Sequence, residues 1–307
     1  MAVLFLLIAQ LALALVLAPL VNGLIKSFKA GWQNRRGPGL LQPWFDLVKY
    51  LNRESVVSEH ASWIFRWAPI VYFSTHLAAA GLVPMFFVHA PLARVGDAIV
   101  LMGLFALARF ALSLAALDTG SNFGGMGTSR ELTFAALVEP ALILGIFALA
   151  IPAGSTSLDD LTHGGIGAAA LLALAALFIV AIAETGRIPV DNPDTHLELT
   201  MAHEGMLLEY AGRPLGLLLW ATHVKQLVIL SLIAALFFPA GLAQELTLPA
   251  LALGVASYVV KVAVLGLALG LVETSYAKLR IFRVPELLGA ASLLGLMAVM
   301  ATYVVGG

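Results

Sequence analysis

The chain has 307 residues, 61% of them apolar and 11% charged, with no cysteine and a formal net charge of −1. Soluble domains carry about 25% charged residues, so this composition excludes a water-facing globule and predicts an all-α polytopic membrane protein, a single transmembrane domain over 1–307. The missing thiols exclude a disulfide framework, a cysteine-ligated iron–sulfur cluster and a thiol nucleophile, and the near-neutral charge excludes a nucleic-acid footprint.

Eight apolar runs are long enough to cross the hydrocarbon layer, at about 2–25, 68–88, 97–117, 133–152, 165–184, 214–238, 248–272 and 286–305. The first has no basic segment and no small-x-small site before Asn22, so it is expected to stay as a span. The loop 26–67 follows, in which Asn34-Arg35-Arg36-Gly37-Pro38-Gly39 leads into Leu40, Trp44, Leu47, Val48 and Leu51. That spacing marks one helical face, with Gln42, Asp46, Lys49 and Arg53 off it, and predicts an interfacial amphipathic helix at 40–52. Such a helix serves either as a lid on the bundle or as the lining of an entrance at the membrane surface.

The third span holds Arg109 about two turns from its inner end, where Asp118 stands. The next loop, Asp118 to Glu131, has four glycines within eight residues (Gly120, Gly124, Gly125 and Gly127), which suits close backbone packing but lacks the ending of a phosphate-binding loop. In the fourth span Glu139 precedes Pro140, about 9 Å in from the predicted start at 1.5 Å per residue. The proline removes a backbone donor there and is expected to kink the helix.

The loop 184–213 carries Glu184, Arg187, Pro189, Asp191, Pro193, Asp194, His196, Glu198, His203, Glu204, Glu209 and Tyr210. Six carboxylates and two histidines within 26 residues stand out in so uncharged a chain. The prolines forbid a continuous helix. Clustered carboxylates disfavour one another's ionisation, which suits them to load and release protons; the same cluster also suits an acidic surface that docks a basic partner. Composition does not separate the two.

Lys225, with His223 close by, and Lys261 each lie about 16 Å from the end of a predicted span. A side chain of that length does not reach either interface from the middle. Each ammonium therefore needs protein, water or a carboxylate around it. Glu273 closes the seventh span. By predicted depth Glu184, Asp118 and Glu273 lie at the inner surface, Glu139 and Arg109 deeper, and Lys225 and Lys261 at the middle, the profile of a half-channel from the cytoplasm. No HExxH-type ligand run appears, and no metal site is expected.

Lys26, Lys29, Arg35, Arg36, Lys49, Arg53, Arg66, Arg130, Arg187, Arg213, Lys278, Arg280 and Arg283 follow the odd-numbered spans, and Arg94 alone follows an even one. This bias predicts cytoplasmic odd loops and both termini outside.

Arg35-Arg36-Gly37-Pro38-Gly39 through Gln42, Asp46 and Lys49 resembles the first cytoplasmic loop of the complex I membrane subunit 1/H family. Leu117-Asp118-Thr119-Gly120-Ser121, Gly127 to Glu131 and Val138-Glu139-Pro140 look more like the homologous subunit of membrane-bound group 4 nickel–iron hydrogenases, the branch of the formate hydrogenlyase and hydrogenase-4 membrane subunits. The resemblance covers essentially the whole chain. It implies a membrane anchor without a redox centre or catalytic residue of its own, beneath a peripheral arm. Expected partners are hydrogenase-like large and small subunits, a ferredoxin-like iron–sulfur subunit, antiporter-like membrane subunits and lipid. The 4Fe-4S clusters, and a Ni-Fe centre where one is present, belong on those partners. Glu139 falls on the family's helix-4 glutamate. Glu184, Arg187, Pro189, Asp191, Glu198 and Glu209-Tyr210 fall on its acidic loop.

Together these readings make Glu139, Glu184, Asp191, Glu198, Glu204, Glu209, Arg109, Asp118, Arg187, Lys225 and Lys261 candidates for proton relay or coupling. Arg35, Arg36, Asp46, Lys49 and Arg130 are candidates for docking the arm. His196 stands where the family commonly has a carboxylate, and the shorter first loop argues against a quinone site. The expected setting is the cytoplasmic membrane of a bacterium or archaeon. Two alternatives stand beside this reading. A quinone-site subunit of an NADH:quinone oxidoreductase would hold quinone beneath the amphipathic helix. An independent secondary transporter would show an internal repeat, and none is visible.

Overall fold

The computed structural model describes residues 2–163, 167–192 and 201–305. In chain order the helices are α1 (Ala2–Trp32), α2 (Gln42–Leu51), α3 (Trp63–Leu82), α4 (Ala98–Asp118), α5 (Asn122–Ala153), the short α6 (Leu158–Leu161), α7 (Ala168–Glu184), the short α8 (His203–Leu207), α9 (Gly212–Phe237), α10 (Leu248–Ser275) and α11 (Val284–Val305). Extended pairing among the described residues is limited to isolated bridges, Phe87 with Ala243 and Asp97 with Ser157. Among the described residues six helices, α1, α4, α5, α9, α10 and α11 with the turn before it, are long and apolar enough to cross a membrane. α7 has 17 residues, about 26 Å at 1.5 Å per residue.

Two predicted boundaries are corrected. α3 runs from 63 to 82, not from 68 to 88. The Ser62 hydroxyl accepts the Ile64 amide at 3.2 Å and starts the helix early. At the far end Pro84 cannot continue it, and the buried Gln10 amide takes the carbonyls of Ala80 and Val83 at 2.7 and 2.9 Å. Helix ends leave such carbonyls without partners, so a single glutamine on α1 fixes where α3 stops.

The larger correction is the glycine-rich loop, most of which is helix. α5 begins at Asn122, not 133, and continues through Pro140 and Pro152. Glycine is the poorer helix former by about 1 kcal/mol per residue relative to alanine, but tertiary contact overrides propensity. A Cβ at Gly124 would lie 2.6 Å from the Ala116 carbonyl oxygen, and one at Gly127 would lie 2.8 Å from that of Ala202. The glycines let the backbones of α4 and of the segment entering α8 press against α5. Glu139 is consequently 17 residues into its helix, about 26 Å along it rather than about 9 Å.

α9 forms the centre, with Val224 to Phe237 buried without a break. α1, α3, α7 and α10 surround it, α4 packs on α3, and α11 closes over α5 and α7. The interfacial helix is present as α2 and lies against α9 and α1. Leu47 is buried, and Trp44 donates its indole N–H to the Val16 carbonyl at 3.2 Å while meeting Trp220 edge-on at 5.6 Å. Leu40 and Val48, on the same apolar face, are exposed.

Candidate functional site

The site is built around the end of α7. Gly186, at φ +59°, adopts the left-handed conformation that glycine accepts without strain. Its amide bonds to the Ala183 carbonyl at 3.0 Å, and the Arg187 amide bonds to that of Ile182 at 3.0 Å. This pair is the Schellman closure of a helix. It reverses the chain so that Glu184 and Arg187, three residues apart, both enter the interior.

Glu184 joins two cations. Its Oε1 accepts from the Arg109 guanidinium of α4, and the Lys225 ammonium of α9 lies 2.6 Å from its Oε2. Arg109 also donates to Glu139 of α5, and its Nε is 4.0 Å from Glu131. The Glu184 side chain is 3% exposed, those of Arg109 and Lys225 are 8%, and that of Glu139 is 47%. A chain of alternating charge therefore leads from the half-exposed flank of α5 to the centre of the molecule. Buried charges persist in a low-dielectric interior only when paired in this way.

Arg187 forms a second centre. Its fork reaches Glu273 at 2.8 Å, Gln226 at 2.9 Å and Asn22 at 3.1 Å, and Lys29 lies 3.3 Å from the other oxygen of Glu273. Lys225 and Gln226 are consecutive on α9, so one turn of that helix touches both centres. Asp191 makes a third, 2.8 Å from Lys278 and accepting the Ala202 amide at 3.3 Å.

A water-sized cavity of about 20 Å³ opens beside Glu184 and Lys225, lined also by Tyr72, Glu131, Asp191 and His203. A second of about 10 Å³ lies against Arg109 and is lined by Tyr72, His76 and Lys225. His76 is buried, and its Nδ1 is 2.7 Å from the Tyr72 carbonyl. A carbonyl only accepts, so in the neutral ring Nδ1 carries the hydrogen and Nε2 is a bare acceptor. That Nε2 has no hydrogen-bond partner among the described residues. Sequence reasoning missed Tyr72, His76 and Gln226 because a lone polar residue within an apolar span has no motif.

Lys225 touches Glu184, although it is 13 residues into α9, about 20 Å along it. The segment after α7 packs α8 onto α5 and α4, with Met206, Leu207 and Tyr210 buried against α3, α4 and α9, and Ala202 and His203 line the cavity beside Glu184, which is buried although it ends a helix. Asp118 joins none of these centres; it accepts the Ser62 amide at 2.7 Å. Lys261 is partly exposed on α10, away from Lys225 and its carboxylate. Glu204 is half-buried on α8 and Glu209 is exposed. Tyr210 stacks on Phe65 at 3.9 Å and donates to its carbonyl at 3.0 Å. Burial, with Asp118 adding to it, pushes the Tyr210 hydroxyl above its ordinary value, so it keeps the proton it donates. Arg35, Arg36, Asp46 and Lys49 are exposed, whereas Arg130 donates to the Met201 carbonyl at 2.8 Å. Pro193, Asp194, His196 and Glu198 lie outside the described residues.

The chain has no cysteine, and among the described residues no group of three or more His, Asp or Glu could hold a metal ion. It is similar to formate hydrogenlyase subunit 4 of Escherichia coli (strain K12), at 38% identity over 293 residues and 94% of each chain. It is also similar to hydrogenase-4 component C of the same organism, at 38% over 276 residues, covering 88% of this chain and 87% of that one. NADH-quinone oxidoreductase subunit 8 of Rhodothermus marinus is 28% identical over 217 residues, 67% of this chain and 62% of its own. A chain in the structure of the membrane-bound sulfane sulfur reductase, an archaeal respiratory membrane complex, shares the fold, with a TM-score of 0.84 at 20% identity over 98% of this chain and 99% of that one. Residues 4–304 match the NADH dehydrogenase family, and the chain belongs to it, within the complex I subunit 1/H group.

Proposed function

We propose that this chain is the membrane anchor and coupling subunit of a complex I-related, hydrogenase-type respiratory complex in a bacterial or archaeal cytoplasmic membrane. The eight long helices among the described residues act as eight spans with both termini outside. Electron transfer in a peripheral arm drives proton or sodium movement through the buried charges of this chain and on into antiporter-like neighbours. The iron–sulfur clusters, and a nickel–iron centre where one is present, sit on partner subunits, since this chain supplies no thiolate.

One observation carries the reading: Glu184 holds Arg109 and Lys225 at once, with Glu139 on the far side of Arg109. Neutralising Glu139 with a proton leaves Arg109 chiefly to Glu184, with Glu131 farther off at 4.0 Å. The hold of Glu184 on Lys225 then weakens, so a proton at one end changes the charge balance at the other. Glu139→Gln, in the assembled complex in proteoliposomes, is expected to block or uncouple ion translocation while the complex still assembles. Wild-type translocation in that variant overturns the relay.

The exposed arginines before α2, with α2 and the acidic loop, form the floor on which the arm docks. Replacing Arg35 and Arg36 together by Glu is expected to release the soluble subunits on blue-native gels at ordinary salt. An intact complex counts against that floor.

A further inference from the structure

Lys261 stands apart from the other buried or half-buried charges among the described residues. It lies 13 residues from the start of α10 and 14 from its end, about 20 Å from either. Its flank is the outer face of the helix, where Val260 is 61% and Val264 59% exposed. Arg109, Arg187 and Lys225 all meet carboxylates, but Lys261 has no ionic or hydrogen-bonded partner among the described residues. The helices packed against α10, α1 and α9, contain no aspartate or glutamate at all. The one acid on α10 itself is Glu273, twelve residues away, about 18 Å along the axis, and already shared by Arg187 and Lys29. A lysine at mid-span facing lipid costs on the order of 2.5–3.5 kcal/mol on insertion scales, and it is too far from a headgroup to snorkel.

We infer that the α10 face around Lys261 is covered, in the assembled complex, by a transmembrane helix of a neighbouring membrane subunit that presents an aspartate or glutamate to Lys261 near the middle of the bilayer. The inference rests on the reading of this chain as one subunit of a multi-subunit membrane complex. The carboxylate comes from outside the chain because no helix beside Lys261 within it has one to offer, and the apolar residues flanking Lys261 suit a helix in lipid, not a soluble partner.

The test places a photoreactive benzoylphenylalanine at Val260 or at Val264, one at a time, in the complex in native membranes, with Lys261 unchanged so that the outcome does not depend on a charge variant folding. Irradiation is expected to join the chain to one membrane subunit, on a helix with an Asp or Glu within a turn of the adduct. Lys261→Glu is then expected to lower the recovery of that subunit with the complex by about tenfold or more, and a lysine in place of the partner's acid to restore it. Adducts confined to lipid, to a second copy of this chain or to a helix without an acid overturn the inference while leaving the proposed function standing. A chain that migrates alone, with no membrane subunit attached, overturns both.

Discussion

Glu184→Gln is expected to remove ion translocation and to loosen the bundle as well, a double effect that few other single substitutions in this chain would have. The amide keeps the size of the side chain and removes the charge. Arg109 still reaches Glu139, but Lys225 loses the one carboxylate within 4.0 Å of it among the described residues. Breaking a buried pair by neutralising one partner typically costs about 3–5 kcal/mol, most of it the unpaired charge left behind. The purified complex should therefore dissociate at a lower temperature on heating, and coupled translocation in proteoliposomes should be lost. Glu184→Asp, which keeps the charge but shortens the reach, should recover part of both. A Glu184→Gln complex with unchanged heat stability and full translocation sinks the claim that this carboxylate joins the two cations.

Gly127→Val should have the next largest effect, and it is structural. The atoms that an added Cβ would meet are all backbone: the Ala202 carbonyl oxygen at 2.8 Å, then the Gly205 carbonyl carbon and the Met206 nitrogen at 3.1 Å. None of these can turn aside as a flexible side chain would, so α8 must be pushed off α5. Overpacking of this kind typically costs about 1–3 kcal/mol. The displaced segment carries His203, which lines both cavities beside Lys225, so translocation should fall with stability. Gly125→Ala is the contrast. Nothing lies within 4 Å of a Cβ there, and alanine in a helix should be neutral or stabilising by up to about 1 kcal/mol. Limited proteolysis of the assembled complex reads both variants. Equal resistance for Gly127→Val and Gly125→Ala removes the close approach from the account.

The identity of the candidate centre was partly legible. Each of Arg109, Glu139, Lys225 and Lys261 announced itself by cost, since an ionisable group in an apolar stretch needs compensation whatever the fold, and Glu184 and Arg187 by their place in a dense charged loop. Their pairing was not legible. Lys225 and Lys261 had the same standing as lysines eleven residues from a predicted span end. In the structure Lys225 meets Glu184 on α7, and Lys261 faces outward from α10. The difference comes from which face of each helix its neighbours cover, and a helix that is apolar all round gives no periodic signal of that face. His76 and Gln226 were missed for the same reason.

Run length and composition by themselves determined that the chain is helical and apolar enough for a membrane, roughly where its long helices lie, and that an amphipathic helix precedes α3. These are local properties: a helix satisfies its own backbone groups, and about 20 apolar residues are what a bilayer requires. Tertiary structure alone decided the rest. It turned a glycine-rich stretch into the first turns of α5, because close backbone contact with Ala116 and Ala202 outweighs weak helix propensity. It brought Glu184 at a helix end against Lys225 far along α9, because α7 packs against α5 and α9 with its last residue buried. Charges far apart in sequence find each other only when helices pack, since the gain from pairing them exists only after both have lost their solvent.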